Sequence, residues 1–320
     1  MKSLFLLAVS GMDAAAQDMP LPGEVYPNIR KILGAVSSQT MDNYYRRSGD
    51  LPVEDEDPLG AWYRFKTGNI AFETKTGFDD GDYRMYQVGG DWSRRFQDSR
   101  LLYGFLADLV EIDTFRVSKN AEGETFGDIS GGGVGGYITY LKDDGFMLEG
   151  MWRFTAGKVE IESEELGARA ASSEENIIFS LETGKRVNLA KSLTLLHFGR
   201  MMWANYTPSH FTDSKGVYAS FNTTNLFTSQ IGLKLTYKPK ETAYFFAASY
   251  FQGWGGTFHS EYWTSDGEYS RADTYYDPTW WSVSTGFNRH YEKGNIFVQY
   301  DAIFGEIRGW ALIVGLRREW

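Results

Sequence analysis

From Leu59 to the C-terminus, apolar and polar side chains alternate with a period of two. In Leu59 to Thr67, Ala61, Tyr63 and Phe65 share one face while Gly60, Trp62, Arg64 and Lys66 share the other, the pattern of a β-strand with unlike sides. The alternation returns in Tyr83 to Trp92, Leu101 to Glu111, Gly133 to Leu141, Gly145 to Thr155, Ile177 to Val187 and Leu193 to Tyr206. It continues through Ser220 to Tyr237, Thr242 to Trp254, Trp280 to Tyr291, Asn295 to Phe304 and Arg308 to Trp320, which makes twelve predicted strands. Spread over residues 59–320, they leave roughly 22 residues for each strand and its connection, enough for about 10 lipid-crossing residues with extensions. Ahead of them the period lengthens. Ile29, Ile32, Leu33 and Val36 follow helical spacing, Asn28 suits an N-cap and Gly49 stops the pattern, so a helix is predicted over Asn28 to Ser48. Its polar side carries Arg30, Lys31, Arg46 and Arg47. At about 30 Å it would match the hydrocarbon thickness of a bilayer.

Two architectures produce such alternation. In a soluble sandwich the apolar faces point inward and the polar faces meet water. In a transmembrane barrel the apolar faces meet lipid, and the polar ones, here rich in Arg, Glu, Lys, Asp and Gly, line a wet lumen. The aromatics favour the barrel. Tyr237, Tyr244, Trp254, Trp280, Trp281, Tyr291 and Trp310 cluster toward strand ends, where membrane interfaces recruit amphipathic rings. An even strand number suits a single-chain bacterial barrel.

Composition narrows the classes further. With 16% aromatics and 35 Gly in 320 residues the chain is not disordered, and its longest apolar run, Leu4 to Val9, is far too short for a membrane-crossing helix. The 32 Lys and Arg against 42 Asp and Glu give a net charge of −10, which argues against nucleic acid as a partner. There is no Cys, which removes disulfides, thiol nucleophiles and Cys-based metal sites. Lys2, the apolar stretch from Leu4 to Val9 and Ala14 to Ala16 suit a short signal peptide, so residues 1–21 are read as a signal peptide or the remnant of a longer precursor. Pro20, Pro22 and Pro27 mark an extended connector into the helix.

Several segments, in order, resemble the C-terminal translocator domain of classical type V autotransporters. Pro22-Gly-Glu-Val-Tyr resembles the start of that family's linker, and Gly49-Asp50-Leu51 followed by Leu59-Gly-Ala-Trp-Tyr-Arg its helix end and first strand. Gln87-Val-Gly-Gly-Asp-Trp, Ser180-Leu-Glu-Thr-Gly and Ser229-Gln-Ile-Gly-Leu-Lys-Leu-Thr-Tyr resemble inner strands, and Gly309-Trp-Ala-Leu-Ile-Val-Gly-Leu-Arg-Arg-Glu-Trp resembles the last. The resemblance covers about Pro22 to Trp320. It implies an all-β transmembrane barrel of 12 antiparallel strands over residues 59–320, with residues 22–58 as linker and lumenal helix. It also implies a place in the outer membrane of a Gram-negative bacterium, and export to the cell surface of an N-terminal passenger that is not present in this chain. The implied partners are outer-membrane lipid, the barrel-assembly machinery and periplasmic chaperones.

Within that picture, Arg30, Lys31, Arg46 and Arg47 are candidates to pair with inward carboxylates Asp91, Glu149, Glu182 and Asp301 in a confined lumen. The family's assembly signal has an aromatic two residues before the last; here Arg318 stands there, which leaves Gly315, Leu316 and Trp320 to carry recognition. The secreted serine-protease members cut themselves at an Asn-Asn pair in the lumenal helix, and the aligned pair is Asp42-Asn43, whose carboxylate is the poorer nucleophile. Other chemistry is thin. Gly131-Gly-Gly-Val-Gly-Gly contains a G-x-G-x-x-G, but strand rather than helix follows, which removes the nucleotide reading; strand glycines instead permit bending or close approach of a plug. The histidines His197, His210, His259 and His290 are scattered, without metal-ligand spacing. Outer-membrane barrel proteases use Asp-Asp and Asp-His pairs, for which Asp79-Asp80 or Asp143-Asp144 with His210 or His259 are formal candidates. That enzyme and a simple porin are the alternatives to a translocator, and the leading reading contains no enzyme activity, no cofactor and no metal.

Overall fold

The computed structural model describes residues 59–74, 77–119, 123–164 and 167–320. Sixteen strands, β1 to β16 in chain order, lie within them. Twelve close a barrel of antiparallel neighbours: β1 (Leu59–Thr74), β2 (Gly77–Arg95), β3 (Ser99–Lys119), β4 (Gly123–Lys142), β5 (Phe146–Ser163), β6 (Ala168–Ala190), β7 (Leu193–Pro208), β10 (Thr224–Tyr237), β11 (Thr242–Trp254), β14 (Thr279–Tyr291), β15 (Gly294–Gly305) and β16 (Ile307–Glu319). The ring is completed where β16 pairs with β1, from Gly60 opposite Glu319 to Phe72 opposite Ile307. No described helix is long and apolar enough to cross a membrane. The predicted helix over Asn28 to Ser48 lies outside the described residues.

One rim carries only tight turns. The connections β2–β3, β4–β5, β6–β7, β10–β11 and β14–β15 are two to four residues long, and both Leu59 and Glu319 lie on this rim. In bacterial outer-membrane barrels the tight turns face the periplasm. At the opposite rim the connections from β7 to β10 and from β11 to β14 build a separate four-stranded sheet of β8 (Phe211–Thr212), β9 (Tyr218–Phe221), β12 (Gly256–Trp263) and β13 (Tyr269–Tyr276). This sheet corrects the sequence reading twice. Ser220 to Tyr237, expected as one strand, is divided at Asn222, whose Oδ1 accepts from the His259 backbone N–H at 2.8 Å and ties the break to β12. Residues 255–278, to which the alternation assigns no strand, form the β12–β13 hairpin.

The outward faces carry two aromatic girdles. On β10, β11, β14 and β16 an outward aromatic near one rim is followed ten residues later by another: Phe227 and Tyr237, Tyr244 and Trp254, Trp281 and Tyr291, Trp310 and Trp320. Ten residues at about 3.3 Å each, tilted about 40°, span roughly 25 Å, the height of the lipid band of such barrels. The upper girdle is stitched by ring contacts, with Phe179–Trp203 centroids at 5.7 Å, Phe227–Trp254 at 6.4 Å and Tyr250–Trp281 at 4.9 Å.

Above that girdle the strands continue, and the two faces exchange character. Along β5, outward Leu148, Trp152 and Phe154 give way to outward Lys158, Glu160 and Glu162, while buried inward Glu149 and Arg153 give way to inward Val159 and Ile161. In β3, outward Phe105 and Leu109 are followed by Glu111 and Asp113, and inward Asp108 by Ile112. The first six strands expected from the alternation end or begin close to this change. The observed strands extend past it because lipid outside is replaced by water and the inside becomes a packed core. Inward Ile70, Phe72, Tyr83, Ile129, Val159 and Ile161 join Phe258, Tyr262 and Tyr276 of the small sheet in one hydrophobic cluster. The expectation of a polar lumen therefore holds only in the tight-turn half, where the charges stand beside a small apolar cluster of Leu102, Met147 and Leu196.

This orientation is checked by impermeant maleimide labelling of intact cells, for which a chain without Cys is suited. Ser265→Cys in the β12–β13 turn is expected to label from outside, and Lys240→Cys in the β10–β11 turn only after the outer membrane is breached.

Candidate functional site

The tight-turn half of the lumen is lined by inward residues of every barrel strand, and its charges are organised around the closing seam. Arg317 points inward from β16 and reaches across β1 to Asp91 on β2: Nη1 donates to Oδ2 at 2.9 Å and Nη2 to Oδ1 at 2.6 Å. Both side chains are almost wholly buried, at 3% and 2% exposure. β1 lies between them, and at the crossing point stands Gly60. A Cβ there would come within 2.6 Å of the Arg317 Cζ and 3.0 Å of the Asp91 Oδ1, so any side chain would displace the pair. Tyr137 on β4 donates to Asp91 Oδ2 at 2.8 Å, and Trp62 Nε1 on β1 donates to Tyr137 Oη at 2.9 Å. Arg317 Nε also donates to Glu319 at 2.8 Å. First, second, fourth and last barrel strands are thus joined through one carboxylate, by charge-assisted bonds of the stronger, bidentate kind.

A second network lies one step further in. Arg153 on β5 binds Asp108 on β3, its Nε donating to Oδ2 at 2.8 Å and its Nη2 to Oδ1. The pair passes over β4 at Gly133, where a Cβ would lie 3.1 Å from Arg153 Nε. At this member of the glycine run, the close approach is made by the barrel wall itself. Gln87 Nε2 donates to Asp108 Oδ2 at 3.3 Å, and Arg64 donates to Gln87 Oε1. Arg64, Gln87 and Asp108 are successive ladder partners across β1, β2 and β3, so this row links the start of the barrel to β5.

The remaining sequence candidates separate clearly. Glu149, Glu182 and Asp301 face the lumen and are buried. Glu149 accepts from Thr139 Oγ1 at 2.6 Å and stands opposite Glu182, which in turn stands opposite Arg200. Asp301 Oδ1 accepts from Gln299 Nε2 at 2.6 Å. Arg30, Lys31, Arg46, Arg47, Asp42 and Asn43 lie outside the described residues. Gly315 faces inward against the Phe297 ring, whereas Leu316 and Trp320 stand exposed on the lipid face of β16.

The protease constellation is not assembled. Asp143 and Asp144 sit in the β4–β5 turn, bound to Arg95 at 2.7 Å and Lys185 at 2.8 Å, at the rim opposite His210 and His259. Lys185 and the Phe146 N–H hold the Asp144 carboxyl below the usual carboxylate range. Asp80 lies near the other end of β2, and the Asp79 side chain lies outside the described residues. His259 instead pairs across the β12–β13 hairpin with Asp273, Nδ1 to Oδ1 at 2.7 Å, and Arg271 binds the same carboxylate at 3.0 Å. His259 and then Arg271 hold that carboxyl low. Among the described residues no group of His, Asp and Glu has the geometry to hold a metal ion. The partner of Asp91 escaped the sequence reading. Its only signal was inward parity, since Arg317 occupies the same face of the last strand that Asp91 occupies on the second.

The family model for the autotransporter beta-domain matches residues 58–301. No curated protein sequence matches significantly. The transport unit of the autotransporter AIDA-I from Escherichia coli is similar in fold, with a TM-score of 0.72 at 14% identity over 91% of this chain and 99% of that one. The translocator domain of the autotransporter NalP from Neisseria meningitidis has a TM-score of 0.70 at 13% identity over 93% and 99%. The beta domain of the Bordetella autotransporter BrkA has a TM-score of 0.67 at 16% identity over 82% and 100%.

Breaking a buried ion pair by removing one partner costs about 3–5 kcal/mol. Arg317→Ala is therefore expected to lower the urea stability of the refolded barrel by about that amount, and D91A/R317A by clearly less than the two single losses combined. Heat-modifiable gel migration across a urea series measures both; strictly additive losses would show that the pair does not couple the seam.

Proposed function

The chain belongs to the autotransporter beta-domain family, and on that premise we propose that residues 22–58 thread its lumen and connect the barrel to a passenger outside the cell. The protein is an outer-membrane translocator of type V secretion in a Gram-negative bacterium. An N-terminal passenger is implied by the family. The observation that carries the reading is the family match over residues 58–301.

Geometry supports the threading. β1 begins at the tight-turn rim, so a passenger that precedes it and ends on the surface must traverse the barrel to reach Leu59. A helix over Asn28 to Ser48, about 30 Å long, fits a lipid band of about 25 Å. The inward carboxylates Asp91, Glu149, Glu182 and Asp301 lie on the wall that Arg30, Lys31, Arg46 and Arg47 of such a helix would face, Asp91 being shared with Arg317 and Tyr137. Glu149 and Glu182 stand directly opposite each other, an arrangement that favours a cation between them. Recognition by the barrel-assembly machinery falls to Gly315, Leu316 and Trp320, after delivery by periplasmic chaperones. The exposed Leu316 and Trp320 belong to a strand that is an open edge until β1 pairs with it.

The experiment fuses an epitope-tagged folded domain ahead of Pro22 and treats intact cells with protease. The tag is expected to be removed from outside while the barrel stays intact. In planar bilayers, deleting residues 22–58 is expected to raise single-channel conductance several-fold; a tag confined to the periplasm and an unchanged conductance would contradict the reading.

A further inference from the structure

Three arginines stand on the lipid-facing side of the tight-turn rim, each over an aromatic ring two residues further along the chain. Arg94 lies over Phe96 at 5.6 Å, Arg289 over Tyr291 at 5.6 Å and Arg318 over Trp320 at 5.9 Å. All six side chains are exposed. They belong to the ends of β2, β14 and β16, and in the closed barrel β14, β15, β16, β1 and β2 are consecutive. The three pairs therefore share one sector of the rim, with the closing seam inside it.

Their heights agree. Tyr291, Gly294, Arg318, Ala61 and Gly90 are successive partners along one ladder. With strands about 4.8 Å apart and tilted about 40°, each step climbs about 3 Å. Gly90 thus lies about 12 Å above Tyr291, and Arg94, four residues back toward the rim, recovers about 10 Å of that. Arg289 and Arg318 come out about 5 and 6 Å above Tyr291 and Arg94 about 2 Å, so the three lie within about 4 Å of one height. Around the barrel they are spaced roughly 12 Å apart.

What sets these arginines apart is that each has an aromatic ring beneath it and no carboxylate partner. Three other cations of the same rim are matched by carboxylates, Arg95 by Asp143, Lys185 by Asp144 and Lys142 by Asp98 at 4.0 Å, while Lys191, Lys240 and Lys293 in its turns have no carboxylate partner among the described residues. Among the described residues no carboxylate pairs with Arg94, Arg289 or Arg318. The acids nearest in the seam strands, Asp91 and Glu319, are both bound by the inward Arg317. A guanidinium resting on a ring keeps its N–H edges free and aimed outward, and that planar fork fits a phosphate through two parallel hydrogen bonds. Aromatic rings at a bilayer interface sit at headgroup depth.

We propose that this arc binds the phosphodiester headgroups of anionic glycerophospholipids in the periplasmic leaflet, holding a collar of lipid against the seam where first and last strands meet. The proposal uses the outer-membrane location but not the threading of residues 22–58, so each stands or falls separately.

The test is electron spin resonance of the full chain in phosphatidylcholine bilayers containing spin-labelled phosphatidylglycerol or spin-labelled phosphatidylcholine. The unaltered protein is expected to prefer the phosphatidylglycerol probe at least threefold, and R94Q/R289Q/R318Q to prefer neither. The control R95Q/K142Q/K185Q removes as many charges from the same rim and is expected to keep the preference. The single variants R94Q, R289Q and R318Q, each with partial loss, serve if the triple variant does not insert as judged by heat-modifiable migration. Absence of preference in the unaltered protein, or equal loss in the control, would overturn the proposal. So would an unchanged preference in the triple variant with failed assembly in cells, which would assign the arc to a protein partner.

Discussion

Everything in this fold depends on one constraint: the strands are longer than the membrane is thick. While lipid lies outside, a strand must present apolar side chains outward and can keep charges inward. Once water replaces lipid, the same strand must present polar side chains outward, and the interior has to close by other means. β5 shows both regimes within Phe146–Ser163, passing from outward Trp152 and Phe154 to outward Lys158 and Glu160. Each half then needs its own interior. The tight-turn half has ion pairs and hydrogen bonds beside the small cluster of Leu102, Met147 and Leu196; the other half has the larger cluster of Ile70, Tyr83, Val159 and Ile161 against Phe258 and Tyr262 of the small sheet.

Closure of the ring follows from the polar half. β1 and β16 are paired by an ordinary ladder, but the ladder alone does not choose between this register and one shifted by two, which would keep every side chain on its face. Arg317 and Asp91 add a geometric condition. Their bidentate contact forms only where Gly60 leaves the inner surface of β1 bare, so a shift of β16 by two relative to β1 would set the guanidinium against Trp62 in one direction and carry it past the start of β1 in the other. The network through Arg64, Gln87, Asp108 and Arg153 extends the same order to β5. Together they make the first five strands and the last one a single cross-linked wall, around the end at which the chain enters and leaves the barrel.

Much of this was legible in the sequence, and the failures share a cause. Twelve barrel strands, their inward and outward faces, and the lumenal positions of Asp91, Glu149, Glu182 and Asp301 follow from parity alone, because lipid imposes a strong alternation. The strands were read too short, as with Leu59 to Thr67 for Leu59–Thr74, because beyond the bilayer the alternation reverses sign. A pattern that inverts looks like one that ends. The small sheet was missed for a related reason: its strands are two to eight residues long, and neither face meets lipid. The Arg317–Asp91 contact joins residues 226 positions apart and depends on which residue of β1 lies beneath it, which parity cannot specify. His259 could not be matched to Asp273 without the hairpin that brings them together.

The reversal of faces is the claim on which the account rests, and spin-label accessibility along the outward side of β5 tests it most directly. Labels placed one at a time at Leu148, Trp152, Phe154, Lys158, Glu160 and Glu162 in reconstituted protein are compared for collision with oxygen, which concentrates in lipid, and with a nickel chelate, which stays in water. The account predicts oxygen-dominated signals through Phe154, chelate-dominated signals from Lys158 onward, and a crossing near Ala156. A uniform ratio along all six positions would contradict it.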